Sequence, residues 1–213
     1  MDDQALPPLE RFAGLYAAPR APWDIGRPQR PFVEAGESLT RSAAGGPARV
    51  IDVGCGTGDL ALWLAEQGCT VTGVDFLAAP LEAARAKARA RGLTANFLQI
   101  DALAVGEIPE RFDAATDCGL FHTFDAAHRA AYVAALGRLL PSGARLFILC
   151  MSDAEPGTHG PRRVTERELR AAFTGGWEIE TIEPARFEVV PGIAGAEFSP
   201  GGAKSWFVTV RRA

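Results

Sequence analysis

Residues Val50-Ile51-Asp52-Val53-Gly54-Cys55-Gly56-Thr57-Gly58-Asp59-Leu60 join an apolar strand to a helix through three glycines at alternate positions. Glycine adopts backbone conformations closed to residues with a Cβ, and it lets a ligand lie directly against the main chain. The first amides of the following helix have no partner within the helix and point at whatever sits on the turn. A strand, a glycine turn and a helix in that order mark the stretch as a cofactor-binding turn in an α/β chain.

The segments after the turn repeat that alternation. Leu60 to Gln67 reads as a helix stopped by Gly68, and Val71 to Asp75 as the second strand. Pro80 to Arg91 is a helix ended by Gly92, and Ala95 to Asp101 is the third strand. Phe112 to Asp117 is the fourth strand, Ala126 to Leu140 a helix, and Arg145 to Met151 a fifth strand, continuously apolar after Arg145. Thr165 and Glu168 have capping-box spacing, which starts a helix running to Phe173. Trp177 to Ile182 and Ser205 to Arg211 read as two last strands joined by a long connection rich in proline and glycine. Near-continuous apolar strands alternating with helices specify a doubly wound α/β fold, its sheet covered on both faces.

Residues 1–46 differ from this, being rich in proline, glycine and arginine with little periodicity. Trp23, Ile25 and Phe32 are large apolar groups that a solvated arm has no reason to carry. The expectation is an N-terminal arm over residues 1–46, either loose or folded back as a lid, and one domain over residues 47–213.

The 213 residues suffice for one such domain. No apolar run reaches the length of a membrane span, and an acidic start, Met1-Asp2-Asp3-Gln4, is not the chemistry of an export signal, so the expected location is cytoplasmic. A net charge of −4 disfavours nucleic acid as partner. Cys55, Cys69, Cys118 and Cys150 are widely spaced with no C-x-x-C pair, which points to reduced thiols and no metal.

A dinucleotide turn needs G-x-G-x-x-G, and here Asp59 stands where its last glycine belongs. A carboxylate there would repel a pyrophosphate but not a sulfonium with a free amino group, which favours S-adenosylmethionine over NAD. Asp75, closing the second strand, is placed to accept from ribose hydroxyls, and Phe76 can cover an adenine face. Asp101 closes the third strand, where it either accepts from the adenine amine beside the Ala102 amide or caps a helix. Arg85, Lys87, Arg89 and Arg91 read as a solvated helix face.

The acid-x-G-x-G-x-G turn from Asp52 through Gly54, Gly56 and Gly58, followed by Asp75 and Asp101, resembles the class I S-adenosylmethionine-dependent methyltransferases. Pro22-Trp23-Asp24-Ile25-Gly26-x-Pro28-Gln29, Asp117-x-x-Leu120-Phe121-His122 and Val164-Thr165-Glu166-x-Glu168-Leu169 resemble the small-molecule branch. That branch holds thiopurine, thiol and halide methyltransferases and bacterial enzymes that methylate quinolones and other heterocycles. The resemblance implies a Rossmann-like, seven-stranded, mostly parallel sheet with an antiparallel last strand. It implies S-adenosylmethionine as cofactor, with Trp23 and Gln29 near the sulfonium and the acceptor and Asp117 among the cofactor-binding residues.

The expected reaction is methyl transfer to a hydroxyl, thiol or ring nitrogen of a small aromatic or heterocyclic acceptor, by a monomer or weak homodimer. A thiol or halide methyltransferase and a non-catalytic cofactor-binding module are the alternatives. His122, just past the fourth strand, is the candidate general base, with a pocket-shaping role as the other reading. Phe121, Phe124 and the connection around Phe187 to Phe198 are expected to form the acceptor pocket, with core packing as the competing reading for each aromatic. His128 and His159 read as structural or solvated.

Overall fold

The computed structural model describes residues 8–17, 21–158, 160–192 and 197–213. Its seven strands are β1 (Arg49–Val53), β2 (Thr70–Asp75), β3 (Asn96–Gln99), β4 (Ala114–Cys118), β5 (Arg145–Met151), β6 (Trp177–Phe187) and β7 (Ala203–Arg212). The seven helices are α1 (Pro8–Ala17), α2 (Arg30–Ala35), α3 (Glu37–Thr40), α4 (Asp59–Glu66), α5 (Ala78–Arg91), α6 (Ala126–Leu139) and α7 (Glu166–Ala172). Short 3₁₀ turns cover Ala102–Glu107 and Phe121–Thr123.

The strands form one sheet in the order 3-2-1-4-5-7-6. β1 to β5 pair in parallel, and β7 runs antiparallel to both β5 and β6. The order reverses between β1 and β4, and open α/β sheets hold their ligands at that reversal, beyond the carboxyl ends of the strands. The doubly wound fold with an antiparallel last strand is thus present.

Period-two alternation divides the strand side chains between two cores. Ile51, Val53, Ala115, Leu146, Ile148 and Cys150 pack with Tyr132, Leu136 and Leu139 of α6 and Leu169 of α7. Val50, Val71, Phe147, Leu149 and Phe207 pack on the other face with Leu62 and Leu64 of α4 and Leu81 and Ala84 of α5. Phe32 of α2 and Leu39 of α3 are fully buried in that second core. Residues 30–40 therefore pack as part of the main domain, and residues 21–29 cross over its surface.

β6 runs on past Ile182 through Pro184 to Phe187. Pro184 is tolerated because β6 is the edge strand, where a missing N–H breaks no ladder on its open side. The capping box at Thr165 forms in full, with the Glu168 amide donating to the Thr165 hydroxyl and the Thr165 amide to the Glu168 carboxylate.

Candidate functional site

Gly54, Gly56 and Gly58 have φ of 72°, 52° and 83°, in the left-handed region that favours glycine, and they turn β1 into α4. Their neighbours give them different tasks. A Cβ on Gly58 would lie 2.7 Å from the Ala84 Cβ and 3.3 Å from the Phe97 ring, so this glycine lets α5 and β3 close on the turn. A Cβ on Gly54 would press on Leu120 at 3.3 Å. At Gly56 the nearest group is the Tyr16 hydroxyl, 2.5 Å from where the Cβ would be. Gly56 is the glycine whose open side faces the cleft.

The carboxylate of Asp75 braces the turn. One oxygen accepts the Gly56 amide at 3.0 Å and the other the Leu77 amide at 3.0 Å. A carboxylate has about four acceptor positions, so capacity is left for a ligand's hydroxyls. Asp75 is 6% exposed, and burial raises its pKa. Phe76 is half-buried beside it. Asp101 is exposed and accepts the Leu103 amide at 2.9 Å as cap of the 3₁₀ turn that starts at Ala102.

Phe12, Tyr16 and residues 21–29 cover this cradle. The Phe12 ring meets Phe76 edge-on at 6.0 Å and Trp23 at 5.9 Å. Tyr16 meets Trp23 at 5.8 Å, and the Trp23 indole N–H points at its hydroxyl at 3.3 Å. Burial and the nearby Asp75 charge push the Tyr16 pKa up. Gln29 is spent elsewhere: its amide donates to the Glu188 carbonyl at 2.9 Å and accepts the Glu188 N–H at 2.8 Å. This pairing fastens the arm to the end of β6 and takes up both ends of the Gln29 side-chain amide.

Asp52 and Asp117 lie under the turn. Asp52 is 1% exposed and accepts from the Thr116 hydroxyl at 2.7 Å, tying β1 to β4. Asp117 is fully buried, and its Oδ1 accepts the amides of Leu120 at 2.9 Å and Phe121 at 3.1 Å. Its task here is to hold the Phe121–Thr123 turn, not to line the cleft as expected. Burial pushes both carboxyl pKa values up to about 7, and at Asp52 the charges of Asp117 and Asp75 add to the effect.

The charges of Asp75 and Asp117 both raise the Asp52 pKa, and such a cluster of acids suits a cationic ligand and opposes a pyrophosphate. Asp59 contributes less to that discrimination than its sequence position suggests. Its carboxylate takes a 2.8 Å hydrogen bond from Lys87, which neutralises it. Lys87 therefore reaches the turn, and Arg85 donates to the Phe97 carbonyl at 2.7 Å, so the basic face of α5 is not simply solvated.

On the acceptor side, His122 is 4% exposed at the carboxyl end of β4 and 6.0 Å from the Phe187 ring. Its Nδ1 faces the Met151 amide at 3.0 Å. A backbone N–H can only donate, so Nδ1 accepts and the neutral ring carries its proton on Nε2. Phe121 is fully buried, stacked on Phe173 at 5.8 Å with Arg129 over its face, which makes it core and not pocket wall. Phe124 packs on Tyr132 of α6 at 5.2 Å and on His128 at 6.4 Å. A cavity of about 600 Å³ lies in the β6–β7 connection against Val189, Pro191 and Phe198. A larger groove of about 1010 Å³ between α2 and the outer end of β6 touches neither the turn, Asp75 nor His122. His159 lies outside the described residues, as does the connection over residues 193–196.

Sequence reasoning missed Tyr16, Lys87 and Glu155. Phe12 and Tyr16 stand four apart, the spacing of one helix face, and that was the available signal for the first. Glu155 is 3% exposed and accepts the amides of Ser199 at 2.9 Å and Lys204 at 2.7 Å, binding the loop after β5 to the β6–β7 connection. Nothing local marks it or Lys87. Among the described residues there is no group of three or more histidine, cysteine, aspartate or glutamate side chains arranged for a metal ion, and no helix is long and apolar enough to cross a membrane.

The glycine turn, the acid at the end of β2 and the 3-2-1-4-5-7-6 sheet define a Rossmann-like cofactor-binding enzyme fold. Comparison with known proteins agrees. Residues 50–143 match the family model described as a methyltransferase domain. The chain is 33% identical over 190 residues to 2-heptyl-1-hydroxyquinolin-4(1H)-one methyltransferase of Mycobacteroides abscessus, covering 88% of this chain and 80% of that protein. It is 43% identical over 119 residues to the demethylmenaquinone methyltransferase of Thermus thermophilus, covering 54% of this chain and 52% of that one. A solved structure from work on the conversion of a disulfide bond into a thioacetal group during echinomycin biosynthesis superposes with a TM-score of 0.81 at 34% identity, over 95% of this chain and 92% of the other. The chain belongs to the class I S-adenosylmethionine-dependent methyltransferases that act on small molecules.

Proposed function

We propose that this methyltransferase modifies a small aromatic or heterocyclic acceptor at an acidic hydroxyl, thiol or ring nitrogen that reaches the site already ionised. The observation that carries this is the Met151 amide on His122 Nδ1. To act as base through Nε2, the ring would have to move its proton to Nδ1 and leave a buried amide without a partner, at a cost of about 1–3 kcal/mol. Held as it is, His122 offers an Nε2–H donor that orients an anionic acceptor atom.

When bound, the cofactor supplies a methyl carbon activated by a sulfonium. The residues present fit it. Asp75 would take the ribose hydroxyls and Phe76 one face of the adenine, and the Gly54 and Gly56 backbone would lie along the rest of the cofactor. Asp101 and the Ala102 amide would meet the adenine edge, and the acidic surroundings of the turn would favour the cationic end. The Trp23 face adds cation–π attraction, and the arm excludes water. For an in-line displacement the protein mainly has to align acceptor and methyl group, and such positioning supplies several kcal/mol.

The named hydroxyquinolinone methyltransferase supports an acceptor of that kind, since an N-hydroxyl is more acidic than an alcohol. The thioacetal-forming relative supports sulfur as a second possibility, and a thiolate also needs no base. Four free cysteines fit a reducing, cytoplasmic setting.

The deciding experiment incubates the protein with labelled S-adenosylmethionine and a panel of N-hydroxyquinolones, phenols, alcohols and thiols. Transfer is expected to rise with acceptor acidity and to be absent for aliphatic alcohols. Preferred methylation of unactivated alcohols would overturn the reading.

A further inference from the structure

The arm over residues 21–29 is fastened at its two ends by different chemistry. At the acceptor end, Gln29 exchanges two hydrogen bonds with the Glu188 backbone, the Val190 amide donates to the Pro22 carbonyl at 2.8 Å, and Arg27 pairs with Glu188. At the cofactor end the connection passes through one cation. Lys87 Nζ of α5 donates to the Thr57 hydroxyl at 2.8 Å and to Asp59 Oδ1 at 2.8 Å. The Thr57 hydroxyl in turn donates to Asp24 Oδ2 at 3.2 Å. Thr57 lies between Gly56 and Gly58, and Asp24 follows Trp23 in the arm.

We propose that Lys87 is a positioning residue for the cofactor site: through Thr57 and Asp59 it holds Asp24 on the glycine turn and so keeps Trp23 over the cradle. This rests on the arm acting as the cofactor's cover. The chemistry of the cluster carries it. Besides burial, Asp24 raises the Asp59 pKa, so the two carboxylates stand close enough to repel, and Lys87 on Asp59 and Thr57 offsets that repulsion. The Asp59 side chain is 11% exposed and that of Lys87 29%, so water screens the cluster incompletely. Arg91 stands farther off, 4.0 Å from Asp59 against 2.8 Å for Lys87. Lys87 also fixes the direction of the Thr57 proton, because its donation to the hydroxyl oxygen turns the O–H toward Asp24. The acceptor-end contacts use backbone groups and stay closed, so the arm opens by releasing Asp24.

The test is hydrogen exchange of the 21–29 backbone in cofactor-free protein, together with S-adenosylmethionine affinity by calorimetry. Lys87→Met is expected to speed exchange at the Asp24 and Ile25 amides at least tenfold and to weaken binding by a similar factor, with the unfolding midpoint close to wild type. Lys87→Met combined with Asp24→Asn removes the uncompensated charge and is expected to recover most of both. Unchanged exchange in Lys87→Met, or no recovery in the double variant, would overturn the proposal. If the exchange pattern appears while affinity does not move, Lys87 holds the arm but the arm is not the cofactor's cover, and the positioning role fails on that measurement alone.

Discussion

The imidazole Nδ1 of His122 and the backbone amide of Met151, at the ends of neighbouring parallel strands, form a 3.0 Å hydrogen bond. The bond fixes which nitrogen of the ring carries the proton. Nitrogen NMR of the cofactor-free protein should report the Nε2–H tautomer. His122→Ala should lower turnover of ionised acceptors about tenfold or more while leaving S-adenosylmethionine binding within about twofold, the loss expected for one charge-assisted hydrogen bond. An Nδ1–H spectrum would restore the general-base role.

Asp75 bears on cofactor affinity more directly. Asp75→Asn keeps an acceptor for one amide but removes the charge that strengthens hydrogen bonds from the ribose. Affinity should fall about tenfold or more, since hydrogen bonds to a charged partner contribute about 1.5–3 kcal/mol. Calorimetry measures it, and unaltered affinity would place the ribose elsewhere.

Gly58→Ala and Gly68→Ala separate crowding from backbone strain. The two glycines have φ of 83° and 85°, yet of the pair only Gly58 has a neighbour at its Cβ position, Ala84 Cβ at 2.7 Å. Gly68→Ala should cost about 1–2 kcal/mol, the left-handed penalty alone. Gly58→Ala should cost a further ~1–3 kcal/mol from overpacking against a short side chain that cannot move away. Urea midpoints decide the order.

Asp52 and Asp117 make the cofactor-free protein less stable as pH rises. Their folded pKa values, about 7, lie above the ordinary value of 3.8, so the folded state binds more protons between those limits. The contribution is complete below about pH 4 and is lost as pH climbs through 7. Asp117→Asn can keep accepting the Leu120 and Phe121 amides and should flatten the slope of unfolding free energy between pH 5 and 8. A slope as steep as wild type would remove Asp117 as its cause.

Gln29→Ala should detach the arm at the acceptor end. It breaks two hydrogen bonds to Glu188 from a side chain that is 3% exposed. Stability should fall by about 1–3 kcal/mol and the acceptor KM should rise more than the cofactor KM. Steady-state kinetics with both substrates varied show the split.

Much of the fold could be read along the chain because it is encoded locally. The apolar run of Arg145 to Met151 gives β5 end to end, and the Gly54–Gly58 spacing gives the turn that joins β1 to α4. Thr165 and Glu168, three residues apart, give the start of α7. β6 outruns the expected Trp177 to Ile182 because Pro184 is tolerated at a sheet edge, and edge position is a property of the assembled sheet. The candidate site was legible to the extent that its residues sit at strand ends, as Asp75 and His122 do.

The sequence by itself determined the strand–helix alternation, the left-handed glycine turn and the acid that braces it, because each depends on backbone conformation and on residues a few positions apart. Tertiary structure alone decided what Asp59, Gln29, Asp117 and Phe121 do. Lys87 neutralises Asp59 from 28 residues away, and Glu188 takes up Gln29 from 159 residues away. Burial turned Asp117 and Phe121 inward. Charge pairing, desolvation and hydrogen-bond satisfaction depend on neighbours in space, and those exist only once the sheet has brought distant segments together.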